Sequence, residues 1–201
     1  NVYIVTSNYE GSGKTFVSTN LVLALAISGK RVLLIDGDLR HASASNLFCS
    51  QKQGLSDYLA EKSDDIEQLL YRPGQYPTLD ILPVGTIPPN PTELLSSNRL
   101  PKLLEELRPR YDFILIDCPP SETLADADII ERYADRTLFV VRAGLYERKR
   151  LGELEADVQN GKYKHISLIL NATKAGGRYG YRYGYHYGYH YGYHYGYHRQ
   201  K

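Results

Sequence analysis

The sequence predicts an α/β fold: a mostly parallel, doubly wound sheet with helices on both faces. Three observations lead there. Six short runs are rich in Val, Ile and Leu and mostly lack the apolar–polar alternation of a strand with one wet face. Stretches with helical spacing separate most of these runs. Two of the runs end in aspartates, which places polar chemistry at the carboxyl ends of buried strands.

The elements follow in chain order. Residues 2–6 form the first apolar run. Residues 14–28 carry a helical stripe, and Gly29 stops it because glycine accepts the left-handed conformation at a helix end. Residues 31–36 are the second strand. Residues 66–71 read as a short helix and 79–83 as the third strand. Residues 98–107 form a helix whose Pro101 falls in the first turn, where a missing N–H costs little. Residues 113–117 are the fourth strand, 125–133 a helix and 137–142 the fifth strand. A helix over 147–160 and a strand over 166–171 complete the pattern.

Beyond Arg178 the composition changes. Tyr-Gly-Tyr-Arg is followed by four copies of Tyr-Gly-Tyr-His, and ten of the chain's 19 tyrosines lie here. The repeat has no aliphatic residue and a glycine in every unit, so it has little with which to build a core. The expected organisation is a domain over 1–178 and a disordered tail over 179–201. The 201 residues carry a net charge of +1, which excludes a globally basic nucleic-acid binder and a strongly acidic disordered chain. Cys49 and Cys118 are too few for a disulfide framework. No run approaches the roughly 20 apolar residues of a membrane helix. A chain that lacks Met and opens at Asn1 directly on a strand is expected to be part of a longer protein.

The first strand runs into Ser7-Asn8-Tyr9-Glu10-Gly11-Ser12-Gly13-Lys14-Thr15. A glycine-rich turn opening a helix with Lys-Thr is a P-loop: backbone N–H groups at a helix N-terminus hold phosphate oxygens. Gly11, Ser12, Gly13, Lys14, Thr15 and Phe16 are the expected phosphate-side residues. Lys14 reaches the β- and γ-phosphates, and the Thr15 hydroxyl meets Mg²⁺. Asn8 stands where the first glycine is usual, a mild departure because Asn tolerates left-handed backbone. Phe16 occupies the third-glycine position of a dinucleotide fingerprint, which excludes that reading. Asp36 and Asp38 close the second strand, and Asp117 closes the fourth in the manner of a Walker B aspartate. Together they point to ATP and Mg²⁺, with nucleotide hydrolysis or phosphoryl transfer as the chemistry.

Further segments carry a family resemblance. Asp36-x-Asp38-x-Arg40, the segment from Gly85 through Pro88-Pro89-Asn90-Pro91-Thr92-Glu93-Leu94-Leu95 to Ser97, and Asp117-Cys118-Pro119-Pro120 followed by Asp126-Ala127 resemble motifs of the bacterial tyrosine kinases (BY-kinases). Val140-Val141-Arg142-Ala143-Gly144, the basic stretch Arg148-Lys149-Arg150 and the Tyr-rich end also match. The resemblance covers nearly the whole chain. It implies ATP-dependent phosphorylation of protein tyrosine on a P-loop NTPase fold. Lys14, Asp36, Asp38 and Asp117 are the implied catalytic residues. Thr15, Asp38 and Asp117 are the implied metal ligands, direct or through water. Asp36 is implied to orient or deprotonate the tyrosine hydroxyl, and Asn171 to contact adenine. The implied phosphoacceptors are Tyr179, Tyr181, Tyr183, Tyr185, Tyr187, Tyr189, Tyr191, Tyr193, Tyr195 and Tyr197. The implied partners are other copies of the chain in a ring-like homo-oligomer, a transmembrane polysaccharide co-polymerase that activates it, and a cognate tyrosine phosphatase, with no nucleic acid. The implied location is the cytoplasmic face of the inner membrane, in control of capsular or extracellular polysaccharide export. The family's Glu-x-x-Arg-x-x-Arg helix, used in subunit contacts, would precede the P-loop and is not in this sequence.

Two rivals stand beside this reading. A partitioning-type ATPase switch would hydrolyse ATP against water. It usually carries a second lysine five residues before the P-loop lysine, where this chain has Tyr9. A non-catalytic scaffold would not need Lys14, Asp36, Asp38 and Asp117 together. The four tail histidines give incidental metal affinity, Cys118 reads as a small buried residue, and Arg148 to Arg150 as a solvated helix face or a subunit contact.

Overall fold

The structure, a computed structural model, describes residues 1–49, 52–122 and 125–173. Six strands form one sheet: β1 (Val2–Thr6), β2 (Val32–Asp36), β3 (Leu79–Leu82), β4 (Phe113–Asp117), β5 (Arg136–Arg142) and β6 (Ile166–Asn171). Their order is β3-β2-β4-β1-β5-β6 and every pair is parallel. β1 lies inside the sheet, flanked by β4 and β5, and the chain winds outward from it in both directions. Such a reversal opens a crevice at the strands' carboxyl ends.

Alternation along each strand supplies two cores. Val2 and Ile4 of β1, Leu33 and Ile35 of β2, and Ile114 and Ile116 of β4 point to one face. There they meet α3 (Leu55–Leu59), α4 (Ile66–Leu69), α5 (Pro91–Leu95), α6 (Arg99–Leu107) and α7 (Asp126–Glu131). Val5, Val32, Leu34 and Leu115 point to the other face, against Val22 and Ala26 of α1 (Lys14–Ile27) and beside α2 (Ser45–Phe48). A smaller cluster of Phe139, Leu154 and Tyr163 packs α8 (Leu151–Gln159) onto β5. Burial on both faces is why the strands read as continuous apolar runs.

Several expectations shift. The stretch 66–71 is helical only to Leu69; Tyr71 instead pairs antiparallel with Ile81 and extends the β3 edge. The helix expected over 147–160 begins with a single 3₁₀ turn, Arg148–Arg150, before α8. Three helices of four or five residues, α2, α3 and α5, were not legible, because one turn is too short to show a period. α5 did carry a start signal, Pro91 at its first position. α3 is docked by backbone: Leu55 N–H donates to Pro83 O at 2.8 Å, and a side chain on Gly54 would collide with that carbonyl. Among the described residues no helix is long and apolar enough to cross a membrane. The proposed tail, with all ten of its tyrosines, lies outside the described residues.

Candidate nucleotide-binding site

The loop between β1 and α1 is shaped from behind. Ser7 Oγ and Ser12 Oγ donate to Tyr9 O at 2.8 and 2.9 Å. Arg142 at the end of β5 donates to Gly11 O. Asn171 Nδ2 at the end of β6 donates to Ser12 O at 3.0 Å. The two polar ends of a peptide unit point in opposite directions. Holding these carbonyls outward therefore turns the N–H groups of Glu10, Ser12 and Gly13 the other way, into a nest suited to anions. Gly13, at φ 94°, adopts the left-handed conformation that starts α1. Helix α1 has no side-chain cap and no acid in its first turn, so its N-terminal N–H groups stay free for phosphate.

A cleft of 310 Å³ opens over this loop. Gly11, Gly13, Lys14, Thr15, Phe16 and Asp38 line it, joined by Glu10, His41, Ser43 and Pro120. Six of the sequence-predicted residues therefore share one wall. Lys14 is half-buried; burial pulls its ammonium below the usual lysine range, opposed by Asp117 and Asp38 nearby.

Below the cleft, Asp36 and Asp117 stand directly opposite each other on paired strands. Both are buried. Burial pushes Asp117 up to about 7; Thr15 opposes the rise and the Asp36 charge adds to it. Burial likewise pushes Asp36 up to about 6, against hydrogen bonds from Ser45 and Asp38. Thr15 Oγ1 donates to Asp117 Oδ2 at 2.7 Å, while Asp117 Oδ1 is buried with no hydrogen-bond partner among the described residues. An orphaned carboxylate oxygen beside a P-loop hydroxyl fits a hard divalent cation. Among the described residues no group of three or more His, Cys, Asp or Glu could hold a metal alone. The donor set thus suits Mg²⁺ whose remaining ligands are phosphate and water oxygens.

Two predicted residues sit differently from expectation. Asp36 is sealed: its Oδ2 accepts from both Ser45 N and Ser45 Oγ at 2.7 Å, and it does not reach the cleft. That placement argues against direct contact with an acceptor hydroxyl. Asn171 is occupied on both sides, donating to Ser12 O and accepting from Ala172 N at 2.8 Å. It braces the loop, and a side chain on Gly13 would collide with it.

The structure also joins motifs that the sequence left separate. Arg40 Nε donates to Asp126 Oδ2 at 3.0 Å, and Thr92 Oγ1 donates to Asp126 Oδ1 at 2.6 Å. Asp126 is 1% exposed, so this knot ties the loop carrying Asp38 to α5 and α7. Arg150 was expected on a solvated face or in a subunit contact. It lies 5.3 Å over the Tyr9 ring and pairs with Glu122, closing the outer side of the P-loop. Cys118 is buried, its thiol held well above its usual range by burial, as suits a small core residue rather than a nucleophile.

A family profile described as an AAA domain matches residues 2–167. The tyrosine-protein kinase YwqD of Bacillus subtilis is 36% identical over 181 residues, covering 89% of this chain and 76% of that protein. The tyrosine-protein kinase etk of Escherichia coli K12 is 39% identical over 152 residues, 75% of this chain but 21% of that protein, so this chain spans a small part of the longer relatives. Among solved structures, the kinase domain of the Escherichia coli tyrosine kinase ETK superposes with a TM-score of 0.74 at 33% identity, covering 90% of this chain and 72% of that one. The septum site-determining protein MinD from Pyrococcus horikoshii, complexed with Mg-ADP, gives 0.70 at 27% identity, covering 85% and 69%. The fold is therefore that of the P-loop NTPases, and the chain belongs to the bacterial tyrosine-protein kinase family.

Proposed function

We propose that this chain is the catalytic part of an ATP-dependent protein-tyrosine kinase that phosphorylates the tyrosine cluster at 179–197 of another copy. The observation that carries the reading is the Thr15–Asp117 pair with its orphaned oxygen, set under a P-loop whose Lys14 lines the cleft. The turned N–H groups and Lys14 hold the triphosphate in line. Thr15, Asp117 and Asp38 are the residues that would hold Mg²⁺, which would supply charge neutralisation to the transferring phosphoryl group. Transfer forms a bond from the tyrosine oxygen to the γ-phosphorus, breaks the bond from that phosphorus to the bridging oxygen of ADP, and passes the hydroxyl proton to solvent water in the cleft. Asp38 lines the cleft on the metal side, and Asp36, behind Ser45, accepts from Asp38 N and holds the turn that presents it. Arg40, through Asp126 and Thr92, keeps that turn in register.

The reading extends to the partners that the resemblance implies: further copies in a ring, a membrane co-polymerase and a phosphatase, at the inner membrane in polysaccharide export. The test is mass spectrometry after incubation with Mg-ATP. Phosphotyrosine should accumulate in residues 179–197 of the parent and be absent in Lys14→Ala, with unchanged circular dichroism. Undiminished phosphotyrosine in the variant refutes the P-loop role. The MinD likeness supports a second reading, an ATPase switch; ATP hydrolysis at full rate without any phosphotyrosine would favour it.

A further inference from the structure

The two edges of the sheet are not alike. The outer side of β3 is covered at its centre, where Tyr71 and Ile81 exchange backbone hydrogen bonds of 2.8 and 2.9 Å. The outer side of β6 has no strand against it among the described residues. Its six residues, Ile166-Ser-Leu-Ile-Leu-Asn171, contain no charge and no proline, the usual guards of a sheet edge. The carbonyls of His165 and Asn171 face β5, accepting from Thr137 and Ala143. By alternation, the backbone groups of Ile166, Leu168 and Leu170 face outward. Leu168 and Leu170 are 56% and 63% exposed. Beside them lies a mostly apolar groove of 150 Å³, lined by Leu151, Leu154, Glu155 and Val158 of α8 with Ile166 and Leu168.

We propose that this edge and groove receive the chain's own residues 179–197, added as an antiparallel seventh strand. Three features select this occupant. The first is location: the segment follows β6 in the chain, and Ala172, at φ 56°, already bends away from the strand. The second is the connection, which contains Gly176-Gly177, a pair that favours tight hairpin turns. The third is the period. Every odd position from 179 to 197 is tyrosine, and every even one is Gly, Arg or His. An extended strand therefore shows a face made wholly of tyrosine, a residue that favours strands.

The register agrees. A turn centred on Gly176-Gly177 sets Tyr183 opposite Leu170, Tyr185 opposite Leu168 and Tyr187 opposite Ile166. Directly opposed residues share a face, so the tyrosine rings lie along the exposed leucines and the α8 groove. A slip of two residues preserves this match because the repeat is tyrosine at every second position. The added strand runs from the P-loop end of β6, where Asn171 holds Ser12, toward the opposite end of the sheet. Docking thus withdraws these tyrosines from the nucleotide cleft. That consequence rests on the kinase reading; the docking itself does not.

The test uses the full chain, unphosphorylated and without nucleotide, against the chain ended after Arg178. Amide hydrogen exchange is followed by NMR at Leu168 and Leu170. Docking should slow exchange at both amides by about tenfold or more in the full chain, independently of protein concentration. The double substitution Leu168→Asn, Leu170→Asn, at exposed sites, should make residues 179–197 exchange and resonate as they do in an isolated peptide, with β1 shifts unchanged. Equal exchange at Leu168 and Leu170 in the two chain lengths overturns the proposal. So does protection that survives removal of the tail and grows with concentration, which would mean that a second copy covers β6.

Discussion

Asp117→Asn should strengthen the empty fold while weakening nucleotide binding, and the two effects can be separated by pH. In the folded chain the Asp117 carboxyl is pushed up to about 7 from a usual 3.8, chiefly by burial. A raised carboxyl favours folding fully below its unfolded pKa, and that contribution is lost as pH rises through the folded value. Between pH 5 and pH 8 the parent passes through about two units of this window, or about 2.7 kcal/mol at ~1.4 kcal/mol per unit. Asn cannot ionise, so its stability relative to the parent should improve by about 2–3 kcal/mol over that range. A buried amide without partners costs about 1–3 kcal/mol, but that offset is the same at both pH values and cancels in the comparison. The assay is urea denaturation of both proteins at pH 5 and pH 8 in EDTA without nucleotide. A stability difference that does not change with pH would refute the claim that Asp117 is a carboxylate held ionised at a cost. Calorimetric titration with Mg-ATP at pH 8 should show the opposite trend, with affinity lost in the more stable variant.

Three further outcomes follow from the same geometry. Gly13→Ala puts a side chain at φ 94° and against Asn171; it should cost about 1–2 kcal/mol in denaturation and weaken nucleotide affinity, whereas Gly74→Ala, with open space around it, should do neither. Arg40→Ala leaves the buried Asp126 with Thr92 as its one side-chain partner among the described residues and should cost about 1–3 kcal/mol, which Asp126→Asn in the same chain should partly restore. Mixing a Lys14→Ala chain that bears its tail with an active chain ended after Arg178 should place phosphotyrosine on the Lys14→Ala chain; an unmodified tail in that mixture, with the parent alone modifying itself at a concentration-independent rate, would exclude transfer between copies.

The parts of this protein legible in its sequence are those written in one stretch. The buried strands are continuous apolar runs because both of their faces are covered, and the P-loop is a local turn-and-helix device whose glycines, lysine and threonine are neighbours in the chain. Asp117 was legible for the same reason, as a carboxylate closing such a run. The tertiary structure decided what each of these groups meets. Asp36 and Asp38 are two residues apart and look alike in sequence, yet Ser45 folds over the first and leaves the second on the cleft wall. Asn171 and Arg142 come from strands far along the chain, and only the sheet order β4-β1-β5-β6 brings their side chains behind the loop they hold. Arg40, Thr92 and Asp126 lie in three separate motifs and form one knot around the buried Asp126 because α5 and α7 pack beside each other on the same face. Period and spacing report the face that a residue occupies within its own element. Which partner stands across from that face depends on how the elements are ordered in space, and no single stretch of chain records that order.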